Sequence, residues 1–447
     1  MKKFNKNKYL KQLELKRLFR KYERYFYIGI PCLLVGILGI YFAYSKFTTT
    51  NENEVIRTTV GEFIAGDVLI NIYVDGEYSA EVPEQGTGYK VESISCDNGA
   101  VGEWDARDWG PLFTNVTKRS KCNIYFVGNE KVEFGNTEIT LDMYGLCPEI
   151  NDDGTVTVTE VEDTYGYLCK AKDAYGDSYY FRGDVTNNYV FFGGFYWRII
   201  RMNGDGSIRV IYDGTSAHAN GESSTDRQID IFPFNSSRDD NAYVGYMYGT
   251  PGSSTYEETH ANTNNSTIKT YIDTWYENNI KGTTNEKYIV DNIFCNDRSF
   301  ASNNSGTGAG NSNTYYRWRD FANDSNNNKM MLICSQKNDA FTVNDASKGN
   351  GALTYGIGLI TADEVVLSGS WSSGNNRYYL YTGYNYWTSS PYYFIGNTAF
   401  VRVVASNGFT AEEFTYRDRG VRPVISLTSE VLMQGDGTVS NPYHLAS

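Results

Sequence analysis

The chain has 447 residues, enough for about three domain-sized pieces. Its 40 basic and 53 acidic side chains leave a formal charge of −13, which argues against a nucleic-acid reader because such a protein turns a basic face to phosphates. The charge is uneven: residues 1–24 carry a net of +8, residues 25–44 carry none, and the remainder holds −21.

Tyr25 to Tyr44 is an uncharged stretch, long enough at about 1.5 Å per residue to cross about 30 Å of hydrocarbon. Tyr25, Phe26 and Tyr27 at one end and Tyr41, Phe42 and Tyr44 at the other suit the two interfaces. The run is too long for a cleaved leader, and the SKFTTTNENE that follows has no A-x-A site. The sequence therefore predicts a basic cytoplasmic tail (1–24), a transmembrane helix (25–45) and a linker (46–57), with all later residues outside. The expected localisation is the cell membrane, single-pass, with extracellular C-terminal domains and the bilayer as a partner through residues 25–44.

Cys32 falls in that helix. The other cysteines, Cys96, Cys122, Cys147, Cys169, Cys295 and Cys334, are even in number, as suits an oxidising exterior. Composition leaves their pairing open. If each pair stays within its own segment, the bridges are Cys96 with Cys122, Cys147 with Cys169, and Cys295 with Cys334. There is no C-x-x-C, and His218, His260 and His444 are isolated, so neither a metal nor a cofactor is expected.

Residues 58–128 read as a small β module. Val68, Ile70, Ile72 and Val74 alternate before a hairpin turn at Asp75-Gly76, and short apolar runs follow at Tyr89 to Ile94, Leu112 to Val116 and Cys122 to Val127. The pattern suggests an immunoglobulin-like sandwich with its own disulfide, acting as a spacer. After a connector (129–139), residues 140–447 form the larger domain. Phe195, Trp197 and Ile199 alternate, turn at Asn203 to Gly206, and return through Ile208, Val210 and Tyr212. Ser266 or Thr267 caps a helix carrying Ile268, Tyr271, Ile272, Trp275 and Ile280, and Gly282 stops it. Thr361 to Glu364 has the capping-box spacing ahead of Val365, Val366 and Leu367. The expected class is α+β.

The C-terminal segments YNYWTSSPYY (384–393), AFVRVVASNGFT (399–410), RGVRPVISL (419–427) and DGTVSNPYHL (436–445), preceded by GLITADEVVLSG, resemble the C-type-lectin-like fold of the formylglycine-generating-enzyme branch. The layout is also similar to membrane-anchored surface proteins of Gram-positive gut bacteria. The resemblance implies a lectin-like domain over 140–447. It departs from the family in having no cysteine after Cys334, so the branch's oxidase chemistry is not expected, and only Val343-Asn344-Asp345 distantly echoes a calcium-lectin signature.

No G-x-S-x-G or H-E-x-x-H is present, and Glu412-Glu413 suits a solvated edge, so no catalytic residue is assigned. Ser368 to Asn397 is rich in Tyr, Ser, Gly and Asn, and includes Trp371 and Trp387. This is the palette of paratopes, where rings give rigid contact area and small polar residues give adaptable hydrogen bonds. Tyr378, Tyr379, Tyr381, Tyr384, Tyr392 and Tyr393 are the candidate ligand contacts. The expected function is recognition or adhesion at the cell surface, with a glycan or protein as ligand. An envelope enzyme and a structural envelope component are the alternatives.

Overall fold

Short β-branched and aromatic runs punctuated by Gly, Asn and Asp make strand the dominant regular structure of this chain. The computed structural model describes residues 56–57, 68–117, 119–158, 165–323, 328–370 and 374–446. It is mostly β, with 39% strand and 12% helix. This corrects the expected α+β class. The reason is length: the helix Thr267–Asn279 has 13 residues, while Tyr256–Thr259, Trp318–Asn323 and Ala362–Leu367 have only 4, 6 and 6.

Among the described residues no helix is long and apolar enough to cross a membrane. The helix expected over 25–45, its basic tail and Cys32 lie outside the described residues. The structure therefore gives no support to a single-pass anchor, and the cell-membrane localisation that rested on it is withdrawn.

Among the described residues two compact units emerge, the first made of those up to Pro83 with those of Val91–Val127, and the second of Glu84–Lys90 with those from Gly128 on. In the first, Val68–Val74 and Glu77–Ser79 form the expected hairpin. Asp75 and Gly76 take φ of 49° and 84°, the positive values that both central residues of a type I′ turn require. Val68–Val74 also runs parallel to Ser120–Gly128, and Tyr89–Cys96 completes a four-stranded sheet. Ile56–Arg57, Gly110–Thr114 and Val101–Asp105 make a second sheet. The Cys96–Cys122 bridge joins neighbouring strands of one sheet. An immunoglobulin sandwich is antiparallel and bridges between its sheets, so that expectation is corrected to a mixed two-sheet module.

The larger unit is built on two sheets. The first runs in the order Gly166–Asp173, Gly176–Gly183, Phe195–Met202, Ile208–Gly214, Val424–Leu427 and Ile357–Gly358, with Tyr189–Phe192 also on Phe195–Met202. The second runs Asp230–Pro233, Asp418–Val421, Tyr386–Ile395, Thr398–Val404 and Thr410–Phe414, with Thr314–Tyr315 also on Tyr386–Ile395. Trp197, Ile199, Val210, Trp387, Val401 and Ile425 belong to one buried cluster. The helix Thr267–Asn279 is capped by Ser266 and adds Ile268, Ile272 and Tyr276 to that cluster. Cys147–Cys169 and Cys295–Cys334 close the remaining bridges.

Long irregular connections bury carbonyl groups that no ladder satisfies, and buried arginines supply the missing donors. Arg182 bonds the carbonyls of Val366 and Leu367 at the end of their helix. Arg227 bonds those of Tyr379, Tyr381 and Glu222, and Arg422 those of Leu380 and Tyr212. Asp213, itself buried, accepts from both guanidiniums at 2.8 and 2.7 Å.

Candidate functional site

The Tyr-rich segment divides between core and surface. Tyr378 and Tyr379 are fully buried, their hydroxyls bonded to Gly408 O and to Ser368, and neither can touch a ligand. Tyr392 is also buried, against Trp318 and beneath the Arg402 guanidinium. The reasons differ: arginines hold the 379–381 carbonyls and draw Tyr378 and Tyr379 inward, whereas Tyr392 faces the smaller of two core clusters. Tyr381 is half-buried, with its hydroxyl 3.3 Å from Ser223 Oγ, and Tyr384 is exposed. Trp371 lies outside the described residues. The six tyrosines therefore do not form one face.

Tyr393 joins a different set of rings. Cross-strand pairing places Tyr315 opposite Tyr393, Tyr393 opposite Phe400, and Phe400 opposite Phe414. Directly opposed residues point to the same side of a sheet, so one face carries an aromatic row across four strands. Successive ring centroids lie 6.3, 4.4 and 4.5 Å apart, and Tyr416 extends the row at 5.6 Å from Phe414. All five rings are half-buried, so each still presents an edge or part of a face to solvent.

Charged groups fringe the row. The Arg319 guanidinium lies over Tyr315 and Tyr393 at 4.8 and 5.5 Å, and exposed Arg238 and Arg417 lie over Tyr416 at 4.4 and 5.2 Å. Arg419 pairs with Glu413, and Arg402 with Glu412 at 3.4 Å. Burial lowers Arg402 to about 10 against the opposing pull of Tyr392 and Glu412. Burial raises the Tyr393 phenol to about 12, so it is a neutral donor and acceptor at any physiological pH. Tyr315, Phe400, Phe414 and Tyr416 escape a reading by composition because they lie outside the Tyr-rich segment. Alternation in 398–404 and 410–414 was the available signal.

A small cleft lies elsewhere on the same unit and is lined by Arg201, Arg209, Arg317, Asp297, Asp363 and Glu364 among others. Glu364 is the capping-box residue of the helix Ala362–Leu367, as the sequence predicted, and also accepts from Arg201 at 3.2 Å and lies 2.6 Å from Arg209. Burial alone would raise its carboxyl, but Arg209 and Arg201 outweigh that and hold it below the usual range. Arg317 bridges Asp297 at 2.5 Å and Asp363 at 2.7 Å. Elsewhere, His218 sits between Glu222 at 2.8 Å and Asp226 at 2.9 Å, so both ring nitrogens are engaged. Among the described residues no group of three His, Cys, Asp or Glu side chains is placed to hold a metal ion.

In comparisons with known proteins, no family model, curated protein or solved structure matches this chain.

Proposed function

We propose that the chain is a recognition module that holds a glycan along the row Tyr315, Tyr393, Phe400, Phe414 and Tyr416. The observation that carries this reading is the register of four strands, which aligns part-exposed rings in one line. Sugars offer apolar C–H faces bordered by hydroxyls. Aromatic rings answer the first, and the fringe of guanidinium and carboxylate groups answers the second. Tyr384 to Leu427 supplies four strands of the second sheet, Tyr386–Ile395, Thr398–Val404, Thr410–Phe414 and Asp418–Val421, and four of the five rings of the row.

The test is a glycan-binding panel probed with the full chain, Phe400→Ala and Tyr393→Ala, using Tyr384→Ala as a control off the row. Loss of about 1–3 kcal/mol of binding energy per ring is expected, by analogy with stacking on other ring systems. Tyr384→Ala should bind as the unaltered chain does. Binding that survives both row substitutions, or that is found only with protein partners, refutes the glycan reading.

A further inference from the structure

The four-stranded sheet of the first unit has one buried face and one open face. Along Val68–Val74 and Ser120–Gly128 the side chains of Val68, Ile72, Cys122, Ile124 and Phe126 are buried, so by alternation Leu69, Asn71 and Tyr73 stand on the other side. The parallel register sets Leu69 beside Lys121, Asn71 beside Asn123 and Tyr73 beside Tyr125, and the hairpin sets Tyr78 beside Tyr73. Three rings therefore form a row across three strands. Their centroids are 6.1 Å apart for Tyr78 and Tyr73 and 4.9 Å apart for Tyr73 and Tyr125. Tyr78 is 68% exposed, which leaves most of its ring open to solvent.

Two residues along the strands, about 7 Å from the row, lies a pair of amides. Asn71 Nδ2 donates to Asn123 Oδ1 at 2.8 Å, and Asn123 Nδ2 donates to the Tyr125 hydroxyl at 3.4 Å. Among the described residues Asn71 Oδ1 and the hydroxyls of Tyr73 and Tyr78 make no hydrogen bond, and each amide nitrogen keeps a second N–H. Donors and acceptors are thus both available beside the rings. Net charge is absent: the three strands place only Lys121 on this face, and exposed Glu92 on the neighbouring strand Tyr89–Cys96 offsets it.

We propose that this face binds a neutral sugar, which stacks its C–H face on Tyr78 and Tyr73 and turns hydroxyls to Asn71 and Asn123. A hydroxyl both donates and accepts, and a free carbonyl oxygen beside spare N–H groups answers it on both counts. The rings supply rigid contact area at little cost in entropy. A face without net charge matches an uncharged ligand better than a uronate, a phosphate or a basic peptide. The residues of the face are far fewer than the about 20–30 a side of a stable protein interface, which selects a small ligand over a second copy of this chain. None of them belongs to the row from Tyr315 to Tyr416, so the two sites are separated by different substitutions and this one stands or falls independently.

Saturation-transfer NMR on the full chain with maltohexaose, cellohexaose and xylohexaose as neutral probes tests it. Saturation of at least one probe is expected, with a component that Phe400→Ala leaves in place. Tyr78→Ala should weaken that component by about tenfold, by analogy with the loss of other stacking rings. The substitution lies at an exposed position on an edge strand, where no core contact is lost. Tyr78→Phe, which keeps the ring, should bind nearly as the unaltered chain does, and Asn71→Leu, which removes the amide at similar size, should weaken binding severalfold. Absence of saturation of every probe by the unaltered chain overturns the proposal. So does binding that Phe400→Ala abolishes and Tyr78→Ala leaves unchanged, which would assign the sugar to the other row alone. A Tyr78→Ala variant that keeps its sugar binding but changes oligomeric state by light scattering overturns it too, and gives the face to a second copy.

Discussion

His260 gives the chain a pH dependence that can be worked through quantitatively. Its Nε2 lies 2.9 Å from the Gly308 carbonyl and its Nδ1 3.2 Å from Arg298 Nη1. A carbonyl only accepts and a guanidinium only donates, so the ring must be the neutral tautomer with its proton on Nε2. Protonating Nδ1 would oppose two donors and bury a second positive charge beside Arg298. Burial, reinforced by Arg298, accordingly holds the imidazole well below 6.5. The unfolded chain takes up this proton at its ordinary value and the folded chain does not. The resulting stability is complete above about pH 6.5 and is lost as pH falls below it. One unit lower, at about pH 5.5, the loss is about 1.4 kcal/mol. The assay is the urea midpoint of the full chain with disulfides intact, at about pH 7.5 and 5.5, compared with His260→Gln, whose amide donates and accepts but does not titrate. Histidines common to both proteins cancel, so the difference between the two pH dependences should approach this figure. A His260 resonance that titrates near its ordinary value in the folded protein, or a Gln variant with an unchanged dependence, refutes the reasoning.

Glu364→Gln should destabilise the larger unit by about 3–5 kcal/mol, because it strips a buried carboxylate from two buried guanidiniums; the urea midpoint reads this. Since the folded state holds that carboxyl below the usual range, the destabilisation should be complete above that range and shrink as the pH falls through it. Tyr378→Ala should cost about 3–5 kcal/mol, as other large buried rings do, whereas Tyr384→Ala should stay within about 0.5 kcal/mol by thermal or urea unfolding. Replacing Cys147 and Cys169 together by Ser should cost about 2–5 kcal/mol, seen as faster cleavage by an added protease.

What could be read from the sequence was local. The 195–214 hairpin, the Ser266 cap, the Thr361 capping box and the Asp75-Gly76 turn each depend on residues within a few positions of one another, and each is present in the structure. The bridges Cys96–Cys122, Cys147–Cys169 and Cys295–Cys334 span 22 to 39 residues and pair neighbours along the chain. The aromatic row is of another kind. Tyr315 meets Tyr393 only through a strand pairing across 78 positions, and a shift of one residue in that register would turn the rings to the other face. The arginine content also gave no hint of its burial, since a guanidinium that satisfies loop carbonyls looks in sequence like one that dissolves in water. For that reason composition placed Tyr378 and Tyr379 on the surface.

The grip of Arg227 and Arg422 on consecutive carbonyls from Tyr379 to Tyr381 separates shape from identity in that loop. Its course is fixed through the main chain, from below, by groups that do not sense which side chains stand above. Tyr381 and Tyr384 can therefore be exchanged for other residues without redrawing the path that carries them, and the loop is a natural place to graft new contacts onto an unchanged scaffold.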